Sequence, residues 1–274
     1  SISRQWLSLH SHADLPVQAA ERPGLRVLEV SRHGNKLRRG HLRGNRFEIV
    51  VRDAARSGDV TTVLETIRRW GFPNYYGEQR YGRDGLNAQR GKALLVGGKG
   101  AHGDRQRFAI NAYQSSLFDE LVALRLRTLG TLHTLLNGDL PVLHGNGAAF
   151  HVSSLTLDTT QPRSDAGEIS PSAPLFGYRV ELAAGQPGEW ERTLLQREGL
   201  SQESFRLRSK GESPGGERRA VRAIPGELQH EWLGDGGLAP LRLRFTLPPG
   251  AYATSLLREV MKADGADPEE HGDG

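Results

Sequence analysis

The alternation of hydrophobic and polar residues predicts several strands. Residues 241–247 alternate strictly between apolar and polar side chains, which predicts a strand with one buried and one exposed face. Runs of apolar and β-branched residues predict two more strands, over residues 47–51 and over residues 25–30. The Pro-Pro-Gly sequence at 248–250 ends the strand at 241–247, because proline cannot donate to a sheet ladder.

Three other segments have the apolar spacing of helices. The first lies between Asp59, a suitable N-cap, and Gly71, a suitable end. Its apolar residues follow the i, i+3, i+4, i+7 rule: Val60, Val63, Leu64 and Ile67. The second helix is predicted over residues 114–129 and the third over residues 252–260.

Polar and glycine-rich stretches predict connections between these elements. The polar composition of residues 158–172 predicts an exposed loop. The glycine-rich stretches 97–100 and 211–216 predict joints. They do not have the strand-to-helix context or the Lys-Ser/Thr ending of a phosphate-binding loop.

The composition excludes several classes of protein. The 274 residues contain no cysteine, so disulfides, cysteine-ligated zinc and a thiolate nucleophile are excluded. No stretch approaches the roughly 18 consecutive apolar residues of a membrane span, and the first residues do not resemble a secretion signal. We therefore expect a cytoplasmic protein. His10 and His12 have no third ligand near them in the sequence, so no metal site is expected.

Positive charge is concentrated in the first part of the chain. The formal charge is +9 over residues 1–100 and −5 over residues 101–274. Residues 31–46 hold six cations and no acid: Arg32, Lys36, Arg38, Arg39, Arg43 and Arg46. Such a run is either a solvated loop or a site that binds the phosphates of a nucleic acid, and the two strands predicted on either side favour phosphate binding.

Residues 72–82 combine four aromatic rings with an amide and an arginine. Aromatic rings stack on unpaired bases, and an amide such as that of Asn74 matches the edge of a base. The alternative is that these rings belong to the hydrophobic core. The adjacent basic run favours an RNA-binding interpretation.

Several ordered motifs resemble the TruD family of tRNA pseudouridine synthases. The most specific is Asn-Tyr-Tyr-Gly-Glu-Gln-Arg-Tyr-Gly at residues 74–82. The motifs lie, in chain order, at residues 31–52, 74–82, 114–118, 138–139, 174–177, 218–219 and 245–254. The resemblance covers nearly the whole chain.

The resemblance implies a cofactor-free isomerase that acts on a tRNA, at uridine 13 by family usage. In that family the uracil of a flipped nucleotide is detached and rejoined through carbon. The resemblance implies that Asn74 binds this uridine and that Tyr76 and Tyr252 form its aromatic walls. It implies tRNA as the partner and gives no indication of a protein partner. At position 119 the chain has Asp where the family usually has Asn.

The resemblance also implies an α+β fold. We expect a pseudouridine-synthase-like mixed, largely antiparallel sheet with helices and a cleft, plus a family-specific α+β insertion domain. The catalytic domain is expected at residues 1–99 and 227–274, and the insertion domain at residues 100–226.

The family's catalytic Asp has no counterpart in this sequence. Residues 1–6 resemble only the end of its motif, which places the Asp about three residues before Ser1. Asp14, Asp53 and Asp84 do not match its position. We therefore expect an N-terminally truncated synthase that is inactive alone. The alternatives are a catalytically dead RNA-binding module and a protein-interaction scaffold, and the cluster of aromatic and amide residues counts against the scaffold.

Overall fold

The structure is a computed structural model that describes residues 2–10, 21–37, 42–55, 58–97, 103–207 and 213–261. The chain divides into two units, Ser1–Arg43 and Gly44–Gly274. In the described part of the first unit the backbone forms no helix or strand, only an isolated bridge between Arg22 and Leu25. The strand predicted over residues 25–30 is therefore wrong. Leu28 and Val30 are more than half exposed, so no packed face stabilises a strand there.

The second unit contains the regular elements of the described chain. Its helices are α1 (Gly58–Trp70), α2 (Glu78–Tyr81), α3 (Leu86–Leu95), α4 (Asp104–Leu129), α5 (Leu157–Asp165), α6 (Gly185–Arg197) and α7 (Ala253–Met261). Its strands are β1 (Asn45–Ala55), β2 (Phe72–Pro73), β3 (Val142–Leu143), β4 (Ile169–Ser170), β5 (Ser172–Leu175), β6 (Glu217–Ala220), β7 (Arg222–Ala223), β8 (Gly226–Trp232) and β9 (Leu238–Leu247). No described helix is both long and apolar enough for a bilayer crossing.

A three-stranded antiparallel sheet forms one core. Its strand order is β1-β9-β8, and Phe47 lies opposite Phe245 in the β1–β9 ladder. The predicted alternation of β9 is confirmed, since Leu241, Leu243 and Phe245 are buried while arginines occupy the other face. Helices α1 and α7 cover the apolar face. Their contribution to this core is Val60, Leu64, Ile67, Leu256 and Val260.

A second core surrounds α4. Its buried residues include Phe118 of this helix, Phe176 after β5, and Phe205. The buried pair of Arg125 and Asp139, with N and O atoms 2.6 Å apart, ties α4 to the loop that precedes β3. Two charges at this depth are tolerated because each satisfies the other.

The loop predicted over residues 158–172 is wrong, because this segment forms α5, β4 and the start of β5, and its last four residues are buried. Two of its polar residues, Ser164 and Ser170, are buried against the guanidinium of Arg222. Arg222 donates hydrogen bonds to the Ser164 carbonyl at 2.5 Å, to Ser170 Oγ at 2.9 Å and to the Trp70 carbonyl at 2.9 Å. Burial lowers the pKa of Arg222 to about 10.

Hydrogen bonds fix residues 214 and 215, which lie in the glycine-rich joint predicted at residues 211–216. Tyr178 N–H donates to the Pro214 carbonyl at 3.1 Å, and Arg179 N–H donates to the Gly215 carbonyl at 3.0 Å. The backbones approach so closely that a Cβ atom on Gly177 would overlap Gly216. These glycines therefore permit close packing.

Candidate RNA-binding site

Asn74 is fixed by the short β2–β7 pair. This pair places Asn74 beside the end of β6, where its backbone N–H donates to the Val221 carbonyl at 3.0 Å. The side-chain Nδ2 of Asn74 donates to the Ala220 carbonyl at 2.9 Å. Asn74 is only 7% exposed, so both backbone and side chain hold the amide in one orientation.

Arg219 joins three separate segments at this point. Its Nη2 donates to Asn74 Oδ1 at 2.7 Å and to the Gly250 carbonyl at 2.9 Å. Its guanidinium carbon also lies 4.2 Å from the centre of the Tyr76 ring, within range of a cation–π interaction. Arg219 thus connects the amide to an aromatic wall.

Tyr76 and Tyr252 lie side by side, with ring centres 5.7 Å apart. Tyr76 is 9% exposed and packs edge-on against Phe118 at 5.9 Å, whereas Tyr252 is half-buried. Burial raises the pKa of the Tyr76 hydroxyl, so this ring remains a neutral phenol. The structure therefore brings Asn74, Tyr76 and Tyr252 together around Arg219.

Asp119 positions the backbone of this segment. Its Oδ1 accepts a hydrogen bond from Tyr76 N–H at 3.0 Å, and its Oδ2 accepts one from the Tyr81 hydroxyl. Burial raises the pKa of the Asp119 carboxyl, against the opposing effect of these hydrogen bonds. Partial burial, and after it the nearby Asp119 carboxylate, raise the pKa of Tyr81.

A cleft of about 260 Å³ adjoins Tyr76. Its polar lining residues are Arg80, Asn111, Gln114, Ser115 and Glu217, and its apolar ones include Leu175 and Pro214. Arg80 Nε donates to Ser115 Oγ at 3.4 Å, and its guanidinium carbon lies 5.5 Å from the centre of the Tyr76 ring. Tyr76 therefore contacts both Arg219 and the cleft.

The basic run is only partly described. Arg32, Lys36, Arg43 and Arg46 are exposed, while Arg38 and Arg39 lie outside the described residues. Arg46 forms an ion pair with Glu227 at 3.2 Å, so this cation has a carboxylate partner from β8. Of the two strands predicted to flank this run, the described structure contains only β1, and phosphate binding by the run stays a prediction.

The carboxylates of Asp14, Asp53 and Asp84, which do not match the position of the family's Asp, gain no catalytic role from the described structure. Asp14 lies outside the described residues, and Asp53 and Asp84 are exposed. Among the residues that line the cleft, the described acid is Glu217. The described residues contain no group of three or more His, Asp or Glu suited to a metal ion.

Sequence reasoning missed the roles of Arg219 and Asp119. Arg219 occurs in one of the ordered motifs, but its partner Asn74 is 145 residues away, so the contact could not be inferred from spacing. Asp119, where the family usually has Asn, was an unusual residue in the sequence, but the sequence did not indicate its partners. In the structure both residues position the site, Arg219 through the Asn74 side chain and Asp119 through the backbone of Tyr76.

Comparison with known proteins places these features in a family. The model of the tRNA pseudouridine synthase D (TruD) family matches residues 1–101 and 102–260. The tRNA pseudouridine synthase D of Anaeromyxobacter dehalogenans strain 2CP-C is 40% identical over 279 residues, covering 98% of this chain and 77% of that protein. The tRNA pseudouridine synthase D of Thermus thermophilus is 39% identical over 268 residues, covering 97% and 71% respectively.

A solved structure supports the same fold. A structure from Methanosarcina mazei, described as TruD, superposes with a TM-score of 0.68, covering 81% of this chain and 70% of that one at 24% identity. This likeness confirms the expected mixed α+β architecture. The chain belongs to the TruD family of tRNA pseudouridine synthases, which are isomerases acting on tRNA.

Proposed function

We propose that this protein isomerises one uridine of a tRNA, at position 13 by family usage, to pseudouridine. In this reaction the N1–C1′ bond of the nucleoside breaks and a C5–C1′ bond forms. A proton leaves C5 and one is gained at N1, so the product is an isomer of the substrate. No redox partner or group donor is needed for this balance.

The cluster around Arg219 is the observation that supports this proposal most strongly. A base inside a folded RNA must leave its stack before its glycosidic bond can be reached, at a cost of a few kcal/mol. Tyr76 and Tyr252 offer adjacent aromatic surfaces, 5.7 Å apart, that can replace the lost stacking. Asn74 supplies the amide for the base edge through the second acceptor position of Oδ1.

We propose that Arg219 is preorganised for this task by its three fixed partners. It donates to Asn74 and Gly250 and stacks on Tyr76, so neither the amide nor the ring has to be ordered when RNA binds. Preorganisation reduces the entropy cost of binding. Asp119 has the same effect on the backbone of Tyr76.

We also propose that the cations of residues 31–46 bind RNA phosphates. The exposed members Arg32, Lys36 and Arg43 can contact a polyanion, and Arg46 can exchange its partner Glu227 for a phosphate. We keep the catalytic domain at residues 1–99 and 227–274 and the insertion domain at residues 100–226 as a proposal. The sheet core lies mainly in the former and the core around α4 mainly in the latter, with Tyr76 and Leu95 packing into the α4 core and Ala223 into the sheet core. Because the proposed substrate is a tRNA, we place the protein in the cytoplasm.

The decisive experiment is to incubate the protein with tRNA and map pseudouridine chemically. We would compare the 274-residue chain with a version extended upstream through the Asp that the family motif places before Ser1. Pseudouridine formed by the extended version alone would support both the proposed reaction and the placement of the nucleophile. Turnover at equal rates would place the nucleophile within residues 1–274, and tRNA binding without turnover by either version would favour the RNA-binding module.

A further inference from the structure

The cleft beside Tyr76 contains polar groups that the proposed uridine site does not use. We propose that it binds a second RNA base, one that carries an exocyclic amino group and adjoins the target uridine in the strand. This inference rests on the proposed function, because Tyr76 is the wall shared by the cleft and the uridine site.

The volume and the walls of the cleft suit one base. Its volume of about 260 Å³ is just below the range of roughly 300–1,000 Å³ typical of pockets for drug-sized ligands. Leu175 and Pro214 provide apolar surface, and Tyr76 provides an aromatic one. Such walls suit the flat face of a base.

The walls of the cleft are held in place before any ligand binds. On one side, Gln114 of α4 donates through Nε2 to the Phe176 carbonyl, which ties the helix to the end of β5. On the other, the Pro214 and Gly215 carbonyls accept the hydrogen bonds described above. A pocket fixed in this way can discriminate between ligands of similar size.

The polar groups of the cleft include a cation, an amide and a carboxylate without strong partners among the described residues. The Arg80 side chain donates one long hydrogen bond, to Ser115, and lies over the Tyr76 and Phe108 rings at 5.5 Å and 5.8 Å. It has no carboxylate within 4.0 Å in this part of the chain. The Asn111 side chain, on α4, accepts and donates no hydrogen bond within the described structure. Glu217, exposed at the start of β6, is likewise without an ion pair there.

The carboxylate selects the class of ligand. Glu217 accepts hydrogen bonds but cannot donate them, and it repels a phosphate, so a base fits this cleft better than the RNA backbone does. The N3–H of uracil is flanked by two carbonyl oxygens that would lie against the carboxylate. The exocyclic amino groups of adenine, cytosine and guanine present N–H donors at the edge of the base, where a carboxylate can accept them. Arg80 and Asn111 can then donate to ring nitrogens or carbonyls of the same base.

The test measures binding of short single-stranded oligoribonucleotides to the 274-residue protein by fluorescence anisotropy. Each oligonucleotide keeps one target uridine, and the base on either side is varied among the four. At one of the two neighbouring positions, we expect the oligonucleotide with uracil to bind the protein about tenfold more weakly than the oligonucleotide with the best amino-bearing base. Glu217→Gln should reduce that discrimination to about twofold or less, because an amide can also donate to the carbonyl oxygens of uracil.

Two further variants make the result specific. Asn111→Ala should weaken binding of the preferred oligonucleotide several-fold, and it removes no hydrogen bond from the described fold. The control Glu189→Gln, on the exposed surface of α6, should leave discrimination unchanged. Equal binding of all four bases at both positions by the unaltered protein, or retained discrimination in Glu217→Gln, would overturn the proposal.

Pseudouridine mapping with the version extended upstream separates this inference from the proposed function. If pseudouridine forms equally with every neighbouring base and binding does not discriminate, the second base site is refuted and the reaction stands. If binding discriminates through Glu217 but no pseudouridine forms, the base site is supported and the proposed reaction fails.

Discussion

The guanidinium of Arg219 lies 4.2 Å from the centre of the Tyr76 ring and donates to no part of that residue. Its hydrogen bonds go instead to Asn74 and to the Gly250 carbonyl, next to the segment that carries Tyr252. One cation thereby sets the spacing between an amide and two aromatic walls. The geometry of the proposed uridine site depends on this residue as much as on the residues that would touch the base.

Replacing Arg219 should therefore disturb the site more than the fold. In Arg219→Lys the charge remains, but an ammonium cannot stack as a planar group while donating to Asn74 and Gly250. In the version extended upstream, we expect kcat/KM for pseudouridine formation to fall about tenfold or more. This corresponds to about 1.4 kcal/mol, within the range for a hydrogen bond to a charged group. Arg244→Lys, on the exposed face of β9, is the matched control. Equal losses in the two variants would contradict the role of Arg219.

Tyr76 should contribute to RNA binding through its ring and not through its hydroxyl. The structure gives the hydroxyl no hydrogen-bond partner among the described residues, so Tyr76→Phe should be nearly neutral. Tyr76→Ala should weaken RNA binding by about 1–3 kcal/mol through lost stacking.

Because Tyr76 is buried, the alanine variant also removes core contacts and should lower the melting temperature. Binding must therefore be measured well below the melting temperature of the variant. A tenfold loss of affinity in Tyr76→Phe would show that the hydroxyl, and not the ring surface, contacts the RNA.

Asp119 should make stability depend on pH. Burial raises its pKa above the ordinary value of 3.8, so the folded protein holds a proton on this carboxyl at a pH where the unfolded chain has lost it. This contribution to stability is fully present below the ordinary value and is lost as pH rises through the raised pKa. Asp119→Asn does not titrate.

The measurement is the free energy of unfolding in urea for both proteins, from about pH 4 upward. We expect the difference between them to move in favour of Asp119→Asn as pH rises through the acidic range. A difference that does not change with pH would mean that the folded and unfolded states bind this proton equally.

Much of the sheet and its helices could be predicted from the sequence, because these elements have one buried face. The strands at residues 47–51 and 241–247 lie within β1 and β9, and the first helix matches α1. Helix α4 begins at Asp104, ten residues before the predicted start. Its first turns bury residues at the i, i+3, i+4, i+7 spacing, namely Gln106, Ala109, Ile110 and Tyr113. The buried Gln106 is polar and the neighbouring Phe108 is 47% exposed, so the apolar residues of the sequence do not follow that spacing.

The site could be predicted only as a set of residue types. The run at 74–82 indicated a site where RNA bases stack on aromatic rings. The contacts that fix Asn74, however, come from Arg219 and Ala220, and no local sequence pattern connects these residues to it. The segment at 158–172 was misinterpreted for a related reason. Its buried serines, Ser164 and Ser170, contact the guanidinium of Arg222, which is distant in sequence, and hydrophobic patterning cannot show that arrangement.

The basic run should give RNA binding a strong dependence on salt. If all six cations of residues 31–46 contact a single strand, the logarithm of the binding constant should fall against the logarithm of salt concentration with a slope of about −4. Replacing Arg32 and Lys36 with Ala should reduce this slope by about 1.4. Binding that stays flat between low and moderate salt would remove the phosphate-binding role.

The most direct test of the central claim is the rate of pseudouridine formation in tRNA by the version extended upstream and by its Asn74→Ala variant. Asn137→Ala, an exposed residue, is the control. We predict pseudouridine at a single uridine of the tRNA, a fall in rate of about a hundredfold or more in Asn74→Ala, and no change in the control. An unchanged rate in Asn74→Ala, or the absence of pseudouridine with the extended version that carries no substitution, would contradict the account.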